Sequence, residues 1–461
     1  MIAQAARIAD DELLRWRRER DETLLDAIDP GEKAEHARRW RQSRIDAGEA
    51  SAADLFIAGE AVFERDFTLA EGLGSGRPRA LPSRVERRFG EGGPDALSCR
   101  ECHGRGGDDG QGELHQRAFL DGDGARPASA AARVPPHVAG GGLVELLAAE
   151  MSAELRGTVA AVAQAARRNG QPQRVKLSAK GVEFGEVLVG EGGVLDNRKL
   201  LGIDADLVVK PFGWKGVAAD LRAFVRRALP QHLGLEPLPE AMTAAGADAV
   251  EDRGQHHDGD GDGIYDEITE GQLSALVVYL ALLDAPQLLL PRSPELLAAW
   301  RRGRAAFDRA GCATCHRSSL PLASTRLEVR APGSTRAFAI DVIADNQQPP
   351  ALDREEYQTS VAVPLYSDLR RHDLGPALAE RTERGVPPQL FLTRALWGIG
   401  DRGNYYLHDG RARSLRAAIL AHGGEATAAR DAYAGLAPDE ARAIDVFLRS
   451  LRRAPLPRIV P

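Results

Sequence analysis

The chain has 461 residues, more than one hydrophobic core organises, so two or three domains are expected. It is 43% hydrophobic and 28% charged with a formal net charge of -7 at pH 7, an ordinary globular balance without the basic surface that nucleic acid requires. Its longest apolar run, residues 273–283, falls short of the roughly 20 residues of a membrane-spanning helix and reads as a buried helix, which argues against a membrane span.

Residues 1–51 are densely charged, as in Asp10-Asp-Glu-Leu-Leu-Arg-Trp-Arg-Arg-Glu-Arg20, and lack the apolar core of about 7–15 residues that marks a signal peptide. They read as a charged helical N-terminal extension. Residues 52–67 carry apolar side chains at helical spacing and lead into Ser98-Cys-Arg-Glu-Cys-His103. Two stretches beyond it, 104–136 and 172–209, are rich in Gly, Asp and Pro, with short alternating segments such as Val175-Lys-Leu-Ser that suit hairpins. Further along, Asp258-Gly-Asp-Gly-Asp-Gly-Ile-Tyr-Asp266 sets carboxylates at alternate positions around glycines. Hard Ca²⁺ wants 6–8 oxygens, so Asp258, Asp260, Asp262 and Asp266 form a candidate calcium loop. Its twelfth position is Thr269, which breaks the EF-hand pattern, and a solvated acidic loop is the competing reading.

A helix over 271–283 closes this first unit, and prolines in 284–294 mark the boundary. The second unit repeats the plan: a helix from Pro294, then Gly311-Cys-Ala-Thr-Cys-His316, a long insert, and a closing helix over 438–451 with acids at its start and arginines at its end. The domains expected are therefore 1–51, the extension; 52–287, built around Cys99–His103; and 288–461, built around Cys312–His316.

All four cysteines fall in the two Cys-x-x-Cys-His motifs. In this arrangement two thiols on one helical turn add to the vinyl groups of a haem and the adjoining histidine binds iron, so Cys99, Cys102 and His103 would hold one covalent c-type haem and Cys312, Cys315 and His316 another. A zinc site with four thiolates, a redox dithiol or two disulfides would each leave the identically placed histidines unexplained. Covalent attachment of this kind places the protein outside the cytoplasm, in a periplasm or its equivalent, although no signal peptide is visible. The fold expected is mainly α, two cytochrome c-like haem domains with long loop-rich inserts and little sheet.

The run Leu396-Trp-Gly-Ile-Gly-Asp-Arg-Gly-Asn-Tyr-Tyr-Leu-His-Asp-Gly-Arg-Ala-Arg-Ser-Leu415 resembles the signature of bacterial di-haem cytochrome c peroxidases and of the di-haem enzymes that mature methylamine dehydrogenase. Tyr366-Ser-Asp-Leu, His372-Asp-Leu-Gly, Phe212-Gly-Trp-Lys and His422-Gly-Gly-Glu-Ala resemble more closely the di-haem branch labelled thiol oxidoreductase. In these families the sixth ligand of the second haem sits fourteen residues beyond the histidine of the Tyr-x-His-Asp-Gly motif; counted from His408 this is His422, making that haem bis-histidine. The family's inter-haem calcium site is in doubt here, since Gly403 and Tyr405 stand where it has threonine and proline. The resemblance implies that chemistry occurs at the first haem, with an acid-base side chain over its open face. Arg133-Val-Pro-Pro-His137 and the glycines leading to Glu145 resemble the pocket-lining segment. Glu145 is the first choice for that role, and His137 is a second acid-base candidate or a displaceable distal ligand, with Glu150 and His115 behind. Trp214 reads as a core residue, with an aromatic relay between haems as the alternative.

The function expected is a peroxidase-like oxidoreductase that acts on peroxide or oxygen and exchanges electrons with a small cytochrome or similar redox partner. A pure electron carrier with both irons six-coordinate is the competing class.

Overall fold

The computed structural model describes residues 40–74, 96–103, 118–120, 131–190, 193–238, 258, 263–265, 267–283, 285–288, 290–334, 336–345, 361–401 and 405–452. His115, Asp260, Asp262, Asp266 and most of the N-terminal extension lie outside them.

The first half begins with α1 (Gln42–Asp46) and α2 (Ala52–Glu64). A capping box starts α2: Ser51 Oγ accepts the Asp54 N–H and the Asp54 carboxylate accepts the Ser51 N–H, meeting donors the helix itself cannot satisfy. The first cysteine motif forms α3 (Cys99–His103), followed by the β1–β2 pair (Ala118–Leu120 with Ala131–Arg133) and the long α4 (Gly141–Asn169). A meander of β3 (Gln173–Ala179), β4 (Val182–Val189) and β5 (Leu195–Leu200) lies next, its first turn made by Lys180 and Gly181, both at positive φ as a tight two-residue hairpin demands. Then come α5 (Leu221–Ala228), a π-helical turn at Leu229–Leu233 and α6 (Glu270–Leu282). Every residue of α6 is buried, Glu270, Gln272 and Ser274 among its apolar majority. Helices α2 and α6 cross at Gly59, where a β-carbon would collide with the Ala275 carbonyl.

The second half opens with α7 (Pro294–Arg309), whose N-terminus is capped by Ser293 and preset by Pro294. It closes with α8 (Leu415–Leu420), α9 (Thr427–Ala434) and α10 (Pro438–Arg449). Helices α7 and α10 cross at Gly303, where a β-carbon would strike the Ala443 carbonyl. The helix entering each cysteine motif thus meets its closing helix at a glycine, and the backbones approach only because no side chain intervenes.

Short antiparallel pairs connect these parts: β6 (Gln287–Leu288) with β13 (Leu451–Arg452), β7 (Leu320–Leu322) with β10 (Val361–Val363), β8 (Arg326–Val329) with β9 (Phe338–Asp341), and β11 (Arg371–Asp373) with β12 (Leu390–Leu392). The expectation of a mainly helical chain with little sheet is therefore corrected: the chain is mixed α and β. Its inserts satisfy backbone N–H and C=O groups by pairing in ladders. Most of these runs are only three or four residues long, too short for alternation to stand out in sequence.

Buried apolar side chains form two clusters. The larger joins α2, α4 and α6 to the meander and to Leu320, Leu327, Ile340 and Val363; the smaller gathers Phe307, Tyr366, Tyr406, Tyr433, Ile444 and Phe447. No helix among the described residues is long and apolar enough to cross a membrane.

Candidate cofactor sites

Each cysteine motif opens on its own cavity. Cys99, Cys102 and His103 line one of about 200 Å³, and Cys312, Cys315 and His316 line one of about 520 Å³. Because the pairs belong to different cavities, they do not form one four-thiolate zinc centre. Burial pushes the Cys99 thiol up to about 12 and the Cys312 thiol up to about 11, which keeps both neutral rather than as the thiolates of a reactive dithiol.

The histidines are prepared alike. His103 Nδ1 donates to the Pro136 carbonyl at 2.8 Å and His316 Nδ1 to the Tyr366 carbonyl at 3.1 Å. Burial, aided by a neighbouring histidine in each case, pulls both rings down to about 4, so they are neutral at physiological pH. His422 follows the same rule: its Nδ1 donates to the Ala418 carbonyl at 2.8 Å and burial lowers its pKa. A neutral imidazole whose Nδ1–H is bound to a carbonyl presents Nε2 as the free donor, the state an iron ligand requires. The donor set of each cavity therefore fits a covalently held haem, and His422 shares the larger cavity with His316.

His422 leads a loop held from outside. Glu425, three residues on, accepts from His372 Nδ1 at 2.8 Å, from the Arg370 guanidinium at 3.0 Å and from the Asp373 N–H at 2.9 Å. Burial alone would lower the His372 pKa, but hydrogen bonds to Asp368, Cys315 and Glu425 raise it to about 11, so it is a fixed cation. Cys315, Asp368 and His372 approach one another closely enough to resemble a metal-binding group, yet a protonated His372 is not a ligand.

In the smaller cavity, the segment 133–137 ties the two halves together. Arg133 forks onto Glu380 with two bonds of 2.7 Å and reaches Glu383 at 3.0 Å. The Val134 N–H donates to the His408 carbonyl at 2.7 Å, and the Val134 carbonyl accepts Trp214 Nε1–H at 2.9 Å. His137, at the end of this segment, lines both cavities, its ring edge-on to Trp397 at 6.4 Å. Glu145 is not brought to the cavity surface: Val144 and Leu221 line the wall, and the Glu145 carboxylate sits behind them, accepting the Leu221 N–H at 2.8 Å. Burial raises its pKa to about 7. Glu150 lies elsewhere, paired with Lys180 and accepting the N–H groups of Ala323 and Ser324 at 3.0 Å.

Two residues, His232 and Arg394, escaped the sequence reading. His232, in the π-helical turn, lines the smaller cavity near enough to His103 for its charge to lower that ring's pKa. Arg394 and Trp214 stand in the wall between the cavities and line both. Trp214 thus has a position beyond core packing. At the acidic loop, the Asp258 carboxylate accepts the Gly263 N–H at 3.1 Å; the remaining proposed ligands lie outside the described residues.

No curated protein matches the chain. Among solved structures it is similar to hydrazine synthase of Kuenenia stuttgartiensis, studied under 20 bar xenon, at 18% identity over 40% of this chain and 56% of that chain, a little over half its length. The TM-score is 0.22, and a likeness at that level carries no argument. Residues 277–451 match the family model described as "Di-haem oxidoreductase, putative peroxidase".

Proposed function

We propose that the protein is a peroxidase-like c-type cytochrome with two covalent haems, one held by Cys99, Cys102 and His103 and one by Cys312, Cys315, His316 and His422. Peroxide or oxygen is reduced in the smaller cavity, and electrons from a small cytochrome or similar donor arrive through the larger one. The domains at 52–287 and 288–461 carry one haem each, outside the cytoplasm. The observation that supports this reading most is the shared wall: Trp214, Arg394 and Trp397 line both cavities. Bound haem supplies the one-electron steps and oxidant activation.

The remaining tasks fall to side chains. Burial keeps His103 and His316 neutral, and their Nδ1 bonds orient them. Reducing hydrogen peroxide to two waters takes two electrons and two protons, and Glu145 is the proton store. Its Oε2 is engaged by the Leu221 N–H, which leaves Oε1 to carry a proton near neutral pH. His137, exposed to both cavities, positions the incoming oxygens.

Protein matured in an exporting host should give a pyridine haemochrome of two c-type haems per chain and react with peroxide on rapid mixing. Zinc without haem would overturn the reading. The second reading, an electron carrier, is favoured by one observation, that His232 lines the same cavity as His103. A protein with two haems and no peroxide reaction would select it. Calcium at Asp258, Asp260, Asp262 and Asp266 belongs to the same proposal. Chelation should then lower the melting temperature, and identical melting curves would leave a solvated loop.

A further inference from the structure

Arg394 sits in the turn after β12 and is fixed there from both sides. The Thr393 N–H donates to the Arg370 carbonyl at 2.9 Å, Ser367 Oγ–H donates to the Thr393 carbonyl at 2.6 Å, and the Leu396 N–H donates to the Leu365 carbonyl at 3.0 Å. Its guanidinium lies over the Trp214 ring, 5.4 Å from the centroid, and both cavities are lined by Arg394 and Trp214.

Nearby arginines all have carboxylates. Arg133 holds Glu380 and Glu383, Arg370 holds Glu425, and Arg371 holds Asp204. Arg394 has no ion pair and no hydrogen bond from its guanidinium among the described residues. Desolvation pulls its pKa down to about 10, which still leaves it charged at neutral pH. A desolvated charge without a counter-ion costs several kcal/mol by typical estimates. Its stacking on Trp214 offsets only about 0.5–2 kcal/mol of such a cost. The five donors of a guanidinium, arranged in a planar fork, remain to be satisfied, and they match carboxylates.

The geometry points to Arg394 as an anion clamp common to the two cavities, its guanidinium taking one propionate carboxylate from each haem. This rests on the two-haem reading above. The consequence is electrostatic: one positive charge faces both cofactors, favours the reduced state of each, and ties their potentials together. A substrate carboxylate bound in one cavity alone is the competing occupant.

The test is redox titration of the full-length protein with both haems in place. The haemochrome count is taken first, so that a chain without two haems counts against the two-haem reading and not against the clamp. Arg394→Gln should lower both midpoint potentials, each by about tenfold in the reduction equilibrium constant, which is 59 mV for a one-electron couple. It should leave the low-spin bands of the second haem in place. The propionates released should also titrate nearer neutrality, so that both potentials of the variant fall with rising pH where those of the wild type are flatter. Should Arg394→Gln fail to mature, Arg394→Lys carries the test: an ammonium keeps the charge but not the fork, so one midpoint should stay near its wild-type value while the other falls. A shift of one midpoint alone in Arg394→Gln, or of neither, would overturn the clamp. So would two unchanged midpoints in Arg394→Lys.

Discussion

The two cavities begin from the same local chemistry and diverge in what they gather around the motif histidine. Around His316, a second histidine with the same Nδ1 tether, His422, enters on a loop fixed through Glu425 by the caged cation His372. Around His103, the facing groups are of different kinds: His137 in the shared wall, His232 in a π-helical turn, and Glu145 behind apolar side chains. The difference teaches that the motif is a local property, written in five residues, whereas what gathers around it is a property of the packing. A wall built for one fixed ligand suits electron storage, and a wall offering several protonable groups suits chemistry.

The largest effect that would sharpen this comparison is loss of a cofactor. Cys99→Ala with Cys102→Ala should leave one haem per chain by haemochrome assay, and that haem should keep its low-spin spectrum. His422→Ala in the intact protein should instead convert the second haem to high spin and retain both haems. An unchanged spectrum would remove His422 from the ligand sphere.

Next in size is the proton pathway. General acid-base groups contribute about 10²–10⁴-fold, so Glu145→Gln should slow the peroxide reaction by that order while both resting spectra persist, and His137→Ala should slow it less. If the order is reversed, the acid-base role passes to His137. A stability measurement accompanies this variant. The Glu145 carboxyl is raised from an ordinary value near 4.5 to about 7 by burial, so its contribution is full below about pH 4.5 and is lost as pH rises through 7. Wild type should therefore lose stability relative to Glu145→Gln across that window, and a constant difference would show that the group is not desolvated.

How much of this was legible in the sequence follows from the same contrast. The motifs at Cys99 and Cys312 and the helices around them are local patterns, and α2, α6, α7 and α10 stand where helical periodicity places them. His422 could be counted out from His408 only through the family resemblance. Arg394, His232 and the cage around His372 carry no local signal, because each matters through partners far away in the chain. Glu150 shows the converse: five residues beyond Glu145 on α4, it sits about 140° around the helix and faces Lys180 and the Ala323 backbone, a separation that helical spacing offered and the ranking of the two left unused. The short strands of the inserts were missed for a related reason, since runs such as Leu320–Leu322 become strands only when a partner such as Val361–Val363 arrives.

The smallest effects should be equal in the two halves. Gly59→Ala and Gly303→Ala each force a β-carbon against a carbonyl of the crossing helix, and overpacking of this kind typically costs about 1–3 kcal/mol. Both variants should melt earlier by calorimetry. If only one does, the two helix pairs are not equivalent supports for their cavities.

The central claim is that the two haems differ in ligation, and the electron paramagnetic resonance spectrum of the resting ferric protein tests it most directly. The account predicts one high-spin and one low-spin iron in equal amounts, the high-spin signal persisting in His422→Met. Two low-spin signals that peroxide leaves unchanged would contradict it and would mark both cavities as closed electron-transfer sites.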